Sequence, residues 1–345
     1  MWVKGKLKSP VGDISVISTD ITAAEKWEHA RCRMSGLRNS YMVEPGLYAA
    51  GSPGPESDVL VSANYKLSFD HLRASLEGMD AWVLVLDTRG INVWCAAGKG
   101  TFGTAELAGR LSTSRLAEIV THKRLIVPQL GAVGISAHEV KKATGFRVHY
   151  GPVRAADIGA YIKAGYRADA RMRRVEFPLL DRLVLTPMEI IPAMKFFPRF
   201  AIPVLLLSGL RPEGIMFRDA LTGGLPLLAL GLLAIFSGAL LAPALLPYLP
   251  FRAFSIKGYI TGLVATWAGA GLLPDSSHWS VVAAAWLWFP LASSYIALQF
   301  TGSTTYTGMS GVEKELRFGM PLYIGGTAVS VLLLVANMII QWRPF

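Results

Sequence analysis

Charge nearly disappears from the second part of this chain, and that gradient limits the fold more than any other feature. Residues 201–345 hold 7 Lys and Arg and 5 Asp and Glu, against 27 and 19 in residues 1–200. A water-soluble domain keeps charge on its surface, whereas uncharged apolar runs of about 20 residues suit a bilayer. Ala220 to Phe251 carries no charge, and Trp279 to Phe300 and Met320 to Trp342 are good spans. Gly258 to Leu273 is marginal. Phe200 to Leu210 has about half the spanning length unless it extends back past Arg199. Residues 200–345 are therefore expected to form an all-α unit of about five transmembrane helices. Four spans with a re-entrant first segment are the alternative. With the N-terminus inside, five spans place Arg252, Lys257, Lys314 and Arg317 in inside loops and leave the Asp275 loop without Lys or Arg. Arg211 and Arg218, in the first outside loop, run against the positive-inside rule. Trp286, Trp288, Tyr295 and Trp342 suit interfacial or packing positions.

Residues 1–165 have an ordinary charged composition and a different rhythm. Residues 1–57 give few signals beyond a strand within Val11 to Ile17 and a loop at Gly51 to Pro55. From Val59 the pattern is regular. Val59-Leu60-Val61 reads as a strand, and Phe69 to Glu77 as a helix capped by Ser68 and ended by Gly78. Ala81 to Leu86 is a buried strand. Ala105 to His122 is helical with a break near Ser112-Thr113-Ser114. Arg124 to Val127 is a strand ended by Pro128. Ser136 and Glu139 have capping-box spacing for a helix that Gly145 closes. Phe146 to Tyr150 is a strand, and Ala155 to Ala164 is a helix closed by Gly165. Such alternation predicts an α/β domain with a mainly parallel sheet and helices on its faces. Its ligands bind beyond the carboxyl ends of the strands. Residues 166–199, with Arg171, Arg173, Arg174, Arg182, Lys195 and Arg199, form a basic linker of the kind that abuts a bilayer on the cytoplasmic side.

One stretch in the front domain carries chemistry. After the Ala81–Leu86 strand, Asp87 to Gly90 turns the chain, and Asn92 is a good N-cap for a short helix over Val93 to Ala97. Cys95 then falls in the first turn, where free amide N–H groups and the helix dipole favour thiolate over thiol. Such a cysteine reads either as a small buried hydrophobe or as a soft metal ligand, and the residues alone leave both open. Ala96-Ala97-Gly98-Lys99-Gly100-Thr101 is a poor phosphate loop. Gly100 stands where Ser or Thr is needed, and Val93 where the leading Gly belongs.

Asn92-Val93-Trp94-Cys95-Ala96-Ala97-Gly98-Lys99, followed by Gly100 to Thr104, resembles the cap-helix motif of the HgcA family, the corrinoid proteins of mercury methylation. Val59 to Asp70, Pro128 to Ala132 and Tyr150 to Ala155 match it as well. Together these blocks span about Tyr41 to Asp157. More distantly, the segment resembles the corrinoid-binding domain of the corrinoid iron–sulfur protein large subunit. The resemblance implies cobalamin or a related corrinoid, with Cys95 as the lower axial ligand of its cobalt. It also implies cofactor contacts from Ser62, Asn64, Ser68, Asn92 to Lys99, Gly131, Ala132, Gly151 and Pro152. Three of these blocks fall at strand carboxyl ends, where the α/β pattern independently places a ligand.

The implied activity is a membrane-anchored methyltransferase that moves a methyl group from cobalt to inorganic Hg(II). A thiolate below the metal raises its electron density and favours release towards a soft electrophile. The chain has two cysteines, Cys32 and Cys95, too few for a four-thiolate cluster. The resemblance therefore implies a separate electron donor, the ferredoxin-like HgcB with two 4Fe-4S clusters. Cys32, between Arg31 and Arg33, is read as incidental. The six histidines (His29, His71, His122, His138, His149, His278) show no ligand spacing. Met1 to Pro10 is polar and basic, unlike a secretory signal, so the corrinoid domain is expected in the cytoplasm and the rest as a multi-pass inner-membrane region. The net charge of +10 carries no basic stripe interleaved with aromatics, so a face apposed to anionic lipid is favoured over nucleic acid. Two other readings remain: a corrinoid methyl carrier of one-carbon metabolism, and a transporter with a regulatory soluble domain. The second lacks the intramembrane charge that transport sites carry.

Overall fold

A computed structural model describes residues 2–304, 306–307 and 309–342. The chain divides into two compact units, 1–176 and 177–345.

The first unit is a seven-stranded sheet with helices on its faces. Its strands are β1 (Val3–Ser9), β2 (Gly12–Ile17), β3 (Gly46–Ala50), β4 (Val59–Ala63), β5 (Ala81–Leu86), β6 (Arg124–Val127) and β7 (Arg147–Tyr150). Its helices are α1 (Ala23–Met34), α2 (Lys66–Ala74), α3 (Val93–Gly98), α4 (Thr104–Thr113), α5 (Ala137–Thr144) and α6 (Ile158–Lys163). The order across the sheet is β1-β2-β3-β5-β4-β6-β7. β4 to β7 run parallel, while β3 pairs antiparallel with β5 and β1 with β2.

Every residue of β4 and β5 is buried, as a parallel core covered on both faces requires. Alternation divides them between two layers. Val59, Val61, Trp82, Leu84 and Leu86 pack with Leu107, Leu111 and Val140 of α4 and α5. Leu60, Val83, Val85 and Ile126 pack with Phe69, Leu72 and Tyr161. The chain leaves β4 towards β5 on one side and returns to β6 on the other. The sheet therefore has a switch point between the carboxyl ends of β4 and β6, where open parallel sheets place their ligands.

Several boundaries differ from the pattern in the sequence. α2 begins at Lys66, not Phe69, so Ser68 lies inside the helix and caps nothing. The early start has remote causes. Lys66 N donates to Tyr41 O, and Lys66 Nζ is buried against Asp70 at 2.7 Å and Glu25 at 3.4 Å. Residues 1–57, nearly silent in the sequence, supply β1 to β3 and α1. α1 is capped by Thr22, whose Oγ1 accepts from Glu25 N while Glu25 returns the bond to Thr22 N.

Among the described residues of the second unit, four helices are long and apolar enough to cross a membrane: Leu179–Gly209, Phe217–Ala244, Trp279–Gly302 and Ser310–Trp342. The fifth expected span is a 15-residue helix, Phe254–Ala268. At 1.5 Å per residue it reaches about 22 Å, short of the ~30 Å hydrocarbon layer. The first apolar run does extend back past Arg199, because Pro187–Gly209 is one helix. Arg182, counted with the linker, is buried and donates to Pro243 O and Ala244 O, satisfying carbonyls at the end of a membrane-length helix. Arg211 is paired with Asp219 at 2.7 Å, which offsets its cost in a loop otherwise expected outside. Trp288 stacks on Phe200 at 4.5 Å, and Tyr295 meets Tyr323 edge-on at 5.4 Å, so both pack between helices.

Candidate functional site

The site is assembled around the turn after β5. Asn64, immediately beyond β4, is 2% exposed. Its Oδ1 accepts from Thr88 N and Gly90 N, both at 3.0 Å, and its Nδ2 donates to Asp87 Oδ1 at 3.3 Å. Thr88 Oγ1 lies 2.8 Å from Asn64 Oδ1 and 2.6 Å from Ile91 O. Arg89 and Gly90 both take left-handed φ, 57° and 70°. This tight reversal delivers Asn92 with extended backbone, so its Oδ1 accepts from Cys95 N at 2.9 Å and caps α3.

α3 is pinned from beneath. Ala96 and Ala97 are buried in the core, and α3 packs on the end of β4 and on the Gln129–Gly131 turn that follows β6. It therefore sits at the switch point. The approach is too close for side chains. A Cβ on Gly134 would lie 2.1 Å from Phe102 O and 3.1 Å from Ala97 Cα. The outer face of α3 carries exposed Trp94, Cys95, Gly98 and Lys99. Nothing lies within 4 Å of a Cβ placed on Gly98, so the ledge beside the thiol is open. Val133, 81% exposed, projects from the neighbouring turn.

The cofactor residues expected from the sequence thus separate into two groups. Cys95, Trp94, Gly98 and Lys99 are exposed, and Asn92, Val93, Ala132 and Ser68 are partly so. Ser62, Asn64, Ala96, Ala97, Gly131, Gly151 and Pro152 are buried. Ser62 Oγ donates to Ala63 O, and the Asn64 amide serves the turn. Gly131 and Gly151 are small for internal reasons: a Cβ on Gly131 would strike the Phe102 ring at 2.4 Å, and one on Gly151 would meet Ile126 Cγ2 at 2.9 Å. Cys32 is 1% exposed, with Sγ 3.2 Å from Tyr65 Oη. His149 is in β7 with its ring on Tyr166 at 5.5 Å; burial first, then the Arg124 and Arg147 charges, push its pKa below the usual value.

Among the described residues, no three His, Cys, Asp or Glu side chains converge as a metal-ligand set. A single exposed thiol does not hold a bare metal ion, but it suits a metal that arrives already chelated and offers one axial position. The face of α3 around Cys95 is open to solvent, with Trp94, Gly98 and Lys99 exposed beside it. The remaining described cavity of note, about 960 Å³, lies within the membrane-length helices and is lined by Phe196, Phe200, Trp288, Tyr295 and Tyr323; no expected site residue lines it.

The chain is an α/β domain with a mostly parallel sheet and a thiol-bearing helix at its switch point, followed by a helical unit of membrane length. Residues 31–162 match the protein family described as CO dehydrogenase/acetyl-CoA synthase delta subunit. The chain is 29% identical over 131 residues to the acetyl-CoA decarbonylase/synthase complex subunit gamma of Archaeoglobus fulgidus, covering 37% of this chain and 27% of that protein. It is 30% identical over 127 residues to the same subunit of Methanothermobacter thermautotrophicus, covering 36% and 27%. It is 29% identical over 146 residues to the corrinoid/iron-sulfur protein large subunit of Moorella thermoacetica, covering 40% and 32%. The chain thus spans about a third or less of the length of these relatives, and its helical unit lies outside the matched family segment.

Sequence reasoning gave no site role to Thr88, which is buried against Asn64, to Gln129, to exposed Val133, or to Arg173, which donates to Gln129. Gln129 lay inside a block singled out by resemblance. Thr88 and Arg173 read only as parts of a turn and of a basic linker, because their partners Asn64 and Gln129 are remote in sequence, and Val133 carried no signal.

Proposed function

We propose that residues 1–176 bind a corrinoid on the outer face of α3, with Cys95 as the lower ligand of its cobalt, and that the chain is a membrane-anchored corrinoid-dependent methyltransferase. The observation that carries this reading is the exposed Cys95 thiol on an Asn92-capped helix fixed at the switch point. The Moorella thermoacetica relative, named for a corrinoid protein, and the match over 31–162 support the cofactor.

When bound, a corrinoid supplies a cobalt centre that accepts, holds and releases a methyl group. The chain's own contributions are positional and electronic. Asn64 fixes the turn, Asn92 fixes the first helical amide, and Ala96 and Ala97 anchor the helix so that Cys95 presents its sulfur outward. Thiolate donation to the metal favours transfer to a soft acceptor. We infer that this acceptor is inorganic Hg(II), on the strength of the Trp94 to Lys99 motif and the fused membrane-length helices. A soluble face in the cytoplasm, an inner-membrane anchor in contact with lipid, and a separate ferredoxin-like donor with two 4Fe-4S clusters complete the proposal. The two cysteines of this chain do not build a cluster of their own. Nucleic acid has no part in it.

The names of the relatives favour a second reading, a methyl carrier of one-carbon metabolism. One experiment separates the two. Cells carrying the wild-type chain or Cys95→Ala are given Hg(II), and methylmercury is measured. Output that falls to background in Cys95→Ala supports the proposal, and undiminished output rejects the ligand role. A wild-type chain that methylates a carbonyl-derived acceptor but not Hg(II) establishes the carrier reading instead.

A further inference from the structure

We infer that Arg173 binds the phosphodiester of the corrinoid's nucleotide tail, at the rim made by Gln129 and the Gly151-Pro152 loop; the inference rests on the corrinoid reading above. Residues 166–176 lie beyond the segment shared with the matched family, and their basic composition reads from sequence as a bilayer-facing linker. The structure gives them another role. The segment returns across the carboxyl ends of β6 and β7: Val153 N donates to Met172 O at 2.8 Å, and Arg173 Nη1 donates to Gln129 Oε1 at 3.2 Å. Gln129 N in turn faces Pro152 O at 3.4 Å. Asp169 fixes the local turn by accepting from Met172 N at 2.7 Å. Arg173 is thus held at the edge of the same turn that supports α3 and its thiol.

The charge on Arg173 is not answered by the protein. Asp169 is engaged in its turn, and Glu176 lies 3.9 Å from Arg171. Among the described residues no ion pair joins Arg173 to a carboxylate; its exposed side chain donates to the neutral Gln129 amide and its charge acts on the Tyr161 hydroxyl. A guanidinium has five N–H donors in a fixed fork that matches phosphate. The edge of a corrin ring carries neutral amides, and among the ring's substituents the phosphodiester of the tail is the one with a negative charge. A thiolate below the metal leaves that tail off the metal and in need of a separate anchor. An arginine held on the turn that supports the thiol-bearing helix meets that need.

The full-length chain in detergent is titrated with cobalamin, cobinamide phosphate and cobinamide, the last without phosphate or nucleotide, and binding is followed by visible absorption. The wild type binds the two phosphate-bearing corrinoids more tightly. Arg173→Gln weakens those two about tenfold and leaves cobinamide unchanged. Arg173→Lys keeps the charge without the fork and falls between. Equal weakening of cobalamin and cobinamide in Arg173→Gln, or no weakening of either, overturns the inference and leaves the corrinoid reading standing. A wild-type chain that binds none of the three overturns that reading, and the inference with it. If Arg173→Gln misfolds and loses every ligand, the same comparison in Arg173→Lys decides.

Discussion

Asn64 and Thr88 stand 24 residues apart, yet one side-chain oxygen of Asn64 holds the backbone N–H of Thr88 at 3.0 Å and approaches its hydroxyl at 2.8 Å. Through that oxygen the end of β4 sets the path of the turn after β5, and so the place of Cys95. Asn64→Leu leaves the buried N–H of Thr88 and the partly buried N–H of Gly90 without an acceptor and costs about 1–3 kcal/mol. Thr88→Val removes only the hydroxyl and costs less. Thermal unfolding of the two variants in the same detergent checks the order; equal melting points contradict it.

Two glycines near α3 differ in what surrounds them. Gly134→Ala puts a Cβ 2.1 Å from the Phe102 carbonyl oxygen, and such overpacking costs about 1–3 kcal/mol. Gly98→Ala meets nothing within 4 Å and leaves the melting point unchanged or slightly higher. Corrinoid affinity nevertheless falls in Gly98→Ala if a macrocycle lies on that ledge. Unchanged affinity, read by absorption titration, moves the ring elsewhere.

Asp70 is one carboxylate on which acid stability depends. Burial alone raises its pKa, but hydrogen bonds from His29, Lys66 and Arg73 outweigh burial and hold it at about 2, below the ordinary 3.8. A depressed pKa contributes stability that is complete above pH 3.8 and disappears as pH falls towards 2. The contribution is about 2 kcal/mol. Asp70→Asn costs about 3 kcal/mol at neutral pH, because Lys66 and Arg73 remain buried with Glu25 as their shared carboxylate. It also flattens the loss of stability between pH 4 and pH 2. Denaturant titrations across that range test both parts, and a wild-type acid limb as steep in Asp70→Asn refutes the assignment.

The two thiols differ in access. Cys95 is exposed and Cys32 is 1% exposed, so iodoacetamide labels one thiol per native chain and the second only after denaturation. Peptide mass spectrometry identifies Cys95 as the first. Labelling of both at similar rates in the native chain contradicts the packing of α1 on Tyr65.

Much of the frame was legible because its causes are local. Ala81–Leu86 and Arg124–Val127 form strands at the bounds their apolar runs suggest. Ser136 and Gly145 cap a helix as their spacing implies, and Asn92 caps α3 by a bond to a residue three positions on. Bonds of this kind leave a fixed spacing in the chain. Length and missing charge likewise marked the long apolar helices, except where a 15-residue helix proved too short to span.

Tertiary structure decided what the chemistry-bearing residues face. Asn64 looked like a ligand contact and is spent on Thr88 and Gly90. Gly131 and Gly151 looked cleared for a cofactor, and their missing Cβ atoms make room for Phe102 and Ile126. α2 starts early because Tyr41 and Glu25 receive Lys66, and Arg173 reaches the site by resting on Gln129, 44 residues before it. Spacing along the chain records partners one helical turn or one hairpin away. Contacts between distant residues exist only after the sheet has brought the strand ends together, so no local pattern encodes them.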